Sequence, residues 1–214
     1  MIRGSLPVSA LMASLALLGG CEREVGPGLE IHDTKYAIVD AEGVRIDGDA
    51  DAWPCVLDQF TGLMWEVKTD QPGLHDWRNT YSWYAPDEPN DEVDYRGLQD
   101  AGDCADSACD TDALVHAVNE AGYCGFHDWR MPTRDELASI TDLRKVESPP
   151  TINTRFFPYT GPIEYWSGND YSFQYDAAWA WSFQFGHDRV DWKREAKAVR
   201  LVRGEALNIP RVQD

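Results

Sequence analysis

The sixteen residues Gly122-Tyr-Cys-Gly-Phe-His-Asp-Trp-Arg-Met-Pro-Thr-Arg-Asp-Glu-Leu137 constrain this chain more than any other segment. Gly122 and Gly125 permit tight turns. Trp129 is a large apolar side chain set among charges. Pro132 fixes its own φ and turns Met131 away from helix. Thr133 then opens Thr-x-x-Glu, in which the side chains of Thr133 and Glu136 each accept the other's free backbone N–H. The spacing predicts a turn, an apolar anchor, a stop, and a helix from Thr133 to about Leu143. It supplies no chemistry, because no nucleophile sits beside a base.

The first residues bear on the compartment. Met1-Ile-Arg3 is a short basic start, and the apolar stretch Leu6 to Leu18 is too short for a permanent membrane span. Leu18-Gly-Gly-Cys21 follows, so residues 1–21 read as a signal peptide with a processing site. Leu-x-Gly-Cys resembles a bacterial lipobox, which makes Cys21 the expected lipid attachment point. Glu22, rather than Asp, follows it, which favours the outer membrane of a Gram-negative cell envelope. Residues 22–33 read as a flexible tether, 34–206 as the folded domain and 207–214 as an irregular tail.

Outside the leader, Cys55, Cys104, Cys109 and Cys124 form an even set, and export favours two disulfides. Three pairings are possible. Expected is Cys104–Cys109 closing a local loop, with Cys55–Cys124 stapling a strand region to the turn before the capped helix. Zinc is disfavoured, since no Cys-x-x-Cys pair occurs.

Formal net charge is −18. A nucleic-acid partner is therefore not expected, because phosphate binding needs a basic footprint. Asp47-Gly-Asp49-Ala-Asp51, with Asp58 eleven beyond the first, has the alternating acids of a calcium loop. Ala52 stands where such a loop needs Gly, and no helices flank it, so an acidic turn is the competing reading. Glu88-Pro-Asn90 matches a sugar- and calcium-binding tripeptide of mannose-type lectins, but it precedes the helices instead of following them. No other cofactor is implied.

Period-two and turn patterns predict a hairpin over Tyr36–Val39 and Val44–Ile46, and strands at Cys55–Asp58 and Leu63–Val67. Trp65 is expected in the core. Further strands are predicted at Glu164–Ser167, Ala178–Phe185, Arg189–Arg194 and Ala198–Arg203, completing one antiparallel sheet, with a turn at Gly186–Asp188. The alternation of Trp179, Trp181, Phe183 and Phe185 predicts one aromatic face. Asp110 to Gly122 reads as a helix with acidic residues at its start and Gly at its end. Leu114, Val115 and Val118 form its apolar stripe, and His116 lies on the other face. Gly73-Leu-His-Asp-Trp-Arg78 echoes Gly125-Phe-His-Asp-Trp-Arg130, too faintly to establish a duplication.

Gly122 to Leu137 resembles the G-x-x-D-W-R-L-P-T-x-x-E-L signature of the Lcl C-terminal domain family, named for the Legionella collagen-like protein. Trp53–Glu66, Tyr165-Trp-Ser167 and Ala198–Arg203 resemble three further segments of that family. The resemblance implies an α+β, C-type-lectin-like fold: two helices packed on a twisted antiparallel sheet, rich in loops. It does not fix a ligand. The glycosaminoglycan ligand of the named adhesin suits a basic surface and does not carry over to this acidic chain.

Related lectin-like enzymes need features that are missing here. Formylglycine-generating enzymes use C-terminal cysteines, and none follows Cys124. Iron sulfoxide synthases need clustered histidines, whereas His32, His75, His116, His127 and His187 are dispersed. No Gly-x-Ser-x-Gly, His-Glu-x-x-His or phosphate loop occurs. The expectation is a non-catalytic envelope binding module of adhesion type that recognises a glycan or a protein. Its predicted site is the polar, aromatic loop after the Trp166 strand: Trp166, Asn169, Asp170, Tyr171, Tyr175 and Trp179. A structural subunit of an envelope assembly is the alternative.

Overall fold

The computed structural model describes Met1 and residues 35–46, 50–90, 92–207 and 209. Apart from Met1, all of these belong to the compact unit Ile31–Asp214. Residues 2–34, which hold the rest of the expected signal peptide, Cys21 and the expected tether, lie outside the described residues.

Among the described residues three sheets form instead of one. The first has four antiparallel strands in the order β1 (Tyr36–Val39), β2 (Cys55–Asp58), β3 (Met64–Glu66) and β9 (Val202–Arg203). β4 (Tyr81–Ser82) pairs with β8 (Ala196–Lys197). β5 (Glu164–Asp170), β6 (Ala177–Ser182) and β7 (His187–Trp192) make the third sheet. Among the described residues, α1 (Val93–Arg96) is one turn, α2 spans Thr111–Ala121 and α3 spans Arg134–Ser139. The mixed helix and antiparallel sheet makes this an α+β protein.

The four-stranded sheet is buried on both faces. Tyr36, Ile38, Val56, Trp65 and Val202 alternate onto one side, in a core shared with Leu137 of α3, Phe157 and Trp181. Val39, Cys55 and Met64 face the other way, into a core with Leu114 and Val118 of α2, Trp129 and Trp166. A second buried face requires apolar residues at both phases of the strand, which is why Tyr36–Val39 is buried throughout. The two helices therefore do not share one sheet. α3 packs on β5 and β6, while α2 closes the second core.

Capping follows the sequence closely. Asp110 accepts from the N–H of Ala113, and Gly122 ends α2 in the left-handed region at φ 68°. Thr133 and Glu136 form the reciprocal capping box of α3. α3 stops at Ser139 instead of Leu143, because the Thr141 hydroxyl turns back to the Leu137 carbonyl and Thr141 pairs with Ile152. Ala198–Leu201 is not a strand; the chain there crosses between sheets, and only Val202–Arg203 pairs with β3. The turn after β6 runs Phe183–Gly186, and His187 already opens β7. The echoing segments also part company. Trp129 is buried and donates its indole N–H to the Tyr123 carbonyl, whereas Trp77 sits half-exposed in a loop.

Candidate functional site

A cleft of about 530 Å³ opens between the start of α3 and the β5–β6 hairpin. Thr133, Arg134 and Asp135 form one wall. Asn169, Asp170 and Trp179, with Tyr171, Ser172 and Phe173 of the hairpin loop, form the rest. Strand β5 reaches this wall through a register shift between Trp166 and Asp170. Such irregularities re-aim side chains, and here the Asn169 side-chain oxygen meets the N–H of Arg134 at 2.7 Å. That bond satisfies one of the free donors at the start of α3.

Three aromatic rings meet at the cleft. Tyr171 stands edge-on to Trp179 at 5.2 Å, and Phe173 lies 5.6 Å from Tyr171. Phe173 is 87% exposed. The Arg134 guanidinium lies 4.4 Å over the Trp179 ring, holding the indole in place. Each cation at the rim is matched by an acid. Arg134 pairs with Asp188 at 3.3 Å, and Lys193 with Asp170 at 2.7 Å. Buried Lys193 also donates to the carbonyls of Tyr95 and Tyr175, tying the lip of the cleft to α1.

The predicted site residues divide accordingly. Asn169, Asp170, Tyr171 and Trp179 come together in the cleft. Trp166 does not join them. Its ring is fully buried and its N–H donates to the Tyr81 carbonyl, because β5 alternates and position 166 faces the second core. Tyr175 points elsewhere and stacks on Tyr95 at 4.7 Å. The aromatic face expected of Trp179 to Phe185 is also split: Trp181 and Phe183 are core, Phe185 is 48% exposed beyond the strand, and Trp179 alone lines the cleft. Arg134 and Asp135 lie outside the predicted loop, which does contain Phe173; the capping box marks where α3 begins, but nothing in the sequence marks what it faces.

Two of the four calcium candidates can be placed. Asp47 and Asp49 lie outside the described residues, and Asp51 is exposed. Asp58 is fully buried and accepts from the N–H groups of Phe60 and Thr61, with Lys35 at 3.4 Å. It shapes the turn before Gly62. Among the described residues, no three His, Cys, Asp or Glu side chains gather as metal ligands. Both expected disulfides are present, Cys55–Cys124 and Cys104–Cys109.

A second polar constellation lies inside the protein. Glu66 is fully buried and accepts from Lys68 and from the Leu201 N–H, each at 2.8 Å, with His75 Nδ1 also at 2.8 Å. Arg200, equally buried, donates to the Glu66 carbonyl and the Thr160 hydroxyl. His75 stacks on Tyr123 at 3.7 Å. These residues do not line the cleft. Burial alone would raise the Glu66 carboxyl, but Lys68 and His75 outweigh it and hold the group at about 2. A folded-state value below the ordinary 4.5 means Glu66 stabilises the fold above pH 4.5. That contribution is lost as pH falls towards about 2. It is on the order of 3 kcal/mol. Urea midpoints measured between pH 6 and 2 should fall more steeply for the native chain than for Glu66→Gln. Parallel curves would remove Glu66 as the cause.

The sequence profile of the Lcl C-terminal domain family matches residues 54–203. The chain belongs to that family. No curated protein and no solved structure matches it significantly. The matched span holds both disulfides, the buried Glu66 cluster and every residue of the cleft. Family membership leaves the ligand open, so the lining of the cleft must argue for it.

Proposed function

We propose that this member of the Lcl C-terminal domain family is a non-catalytic, C-type-lectin-like module that binds a neutral glycan at the cell envelope. The Leu18–Cys21 motif supports a lipid anchor at Cys21 and an outer-membrane location in a Gram-negative cell, with the membrane contacted only through that anchor. The observation that carries the reading is the cleft itself: the exposed ring of Phe173 and the half-buried rings of Tyr171 and Trp179 beside the amide of Asn169 and the carboxylates of Asp135 and Asp170. Aromatic faces stack on sugar rings, and amides and carboxylates bond their hydroxyls. Neutrality of the ligand follows from charge. The rim cations are already paired, and the net charge of −18 repels anionic polymers.

A neutral-glycan array probed with the full-length protein, with and without calcium, tests this. Saturable binding is expected, weakened at least about tenfold in Trp179→Ala and in Phe173→Ala at unchanged melting temperature. A second reading, a structural subunit of an envelope assembly, draws on Phe60 and Leu207, which are about 60% exposed beside one turn, where the Leu207 N–H donates to the Thr61 carbonyl. A blank array with a stable co-purifying envelope complex would favour it.

A further inference from the structure

The cleft is not the end of the apolar surface. In the β6–β7 pairing Trp179 lies opposite Val190, and Ala177 opposite Trp192. Directly opposed side chains share a face, as do residues two apart along a strand. Trp179, Val190 and Trp192 therefore form one strip on the face that carries the cleft. Val190 and Trp192 are each 37% exposed, on a strand otherwise made of His, Asp and Arg. Trp192 repeats the arrangement of Trp179: the Arg194 guanidinium lies 5.1 Å over its ring, and Arg194 is itself near Glu195 at 3.9 Å. Two indoles, each backed by an acid-matched arginine, stand on adjacent strands of one sheet face.

We propose that Trp192 is a second sugar-stacking platform and that the ligand is a linear chain of neutral sugars, running from the Tyr171–Trp179 cleft across Val190 to Trp192. This rests on the glycan reading above and adds the length of the ligand and a residue outside the cleft. A protein strand suits the face poorly. The edge of β7 is already engaged at two points: the Trp192 N–H donates to the Asp191 carboxylate, and His187 Nδ1 bonds the Asp188 carbonyl. The area also falls short. Val190 and Trp192 are each only 37% exposed and Trp179 is half-buried, so the apolar strip is small beside the roughly 800 Å² that each side of a stable protein interface buries. Both ends of the strip are self-paired in charge, which suits an uncharged polymer.

The test is calorimetry on the full-length protein with gluco-, malto-, cello- and chito-oligosaccharides of one to six units. For the series that binds, affinity should rise about tenfold between one and four units as the second platform is reached. Trp192→Ala should abolish that rise while leaving the affinity for the shortest binding unit within twofold, and Trp192→Phe should retain most of it. Melting temperatures of the variants establish that the sheet is intact; were Trp192→Ala unfolded, the rise in the native chain and its retention in Trp192→Phe still decide. A flat length series, or a rise that survives Trp192→Ala, overturns this proposal and leaves the cleft reading standing. Absence of binding to every sugar overturns both. A dimer that dissociates on Trp192→Ala would instead make the strip an interface between copies.

Discussion

Replacing Glu66 by alanine is expected to cost about 3–5 kcal/mol, the range for removing one partner of a buried ion pair. A typical domain is stable by only about 5–15 kcal/mol, so the variant should be close to unfolding at ambient temperature. The physical reason is what remains behind. Lys68 and Arg200 are both buried, and burial already pulls both groups down from their ordinary values. Glu66 is the carboxylate that answers them, and it also accepts from the Leu201 N–H. Without it, a buried ammonium and a buried backbone donor lose their partner at once. Urea denaturation should show a lower midpoint at unchanged slope. Adding Lys68→Met to Glu66→Gln should recover part of the loss, since one unpaired charge is then gone. A loss under about 1 kcal/mol for Glu66→Ala would show that water reaches the cluster.

The two disulfides should differ in worth. Cys55–Cys124 spans a separation of 69 residues and Cys104–Cys109 one of 5. Loop-closure entropy assigns about 4 kcal/mol to the first and about 2 kcal/mol to the second. Cys55 and Cys124 are also both buried in the second core, next to Trp129. Paired alanine variants of each bridge, compared by denaturant titration, should show the Cys55/Cys124 variant markedly less stable. The Cys104/Cys109 variant should chiefly loosen the segment before α2, where Asp100 accepts from the Cys109 N–H and Asp110 from the Asp100 N–H. Equal losses would mean that strain or residual structure in the unfolded chain, and not loop length, sets the value.

Local chemistry was legible wherever one segment satisfied itself. The capping box of Thr133 and Glu136, the Asp110 and Gly122 ends of α2, and the strands at Cys55 and Met64 need only near neighbours in sequence. Four of the six expected site residues line one cleft, because Asn169, Asp170, Tyr171 and Trp179 flank one hairpin. Trp166 was misplaced for a simple reason: strand periodicity reveals that alternate residues share a face, but not which face is covered. His75 read as one of five scattered histidines, although folding sets it on Glu66 and Tyr123.

What the sequence determined by itself was the family, the helix boundaries at their capped ends, the two bridges and the hairpin side of the cleft wall. Those depend on short-range bonds or on cysteines with few ways to pair. Only the tertiary structure decided that the strands divide into three sheets, that Arg134 lies over Trp179, and that Glu66 meets Arg200 across 134 residues of chain. Each of these is a contact between segments distant in sequence. Such contacts are chosen by which apolar faces can be buried together, and a buried carboxylate records that choice only once the cations around it are in place.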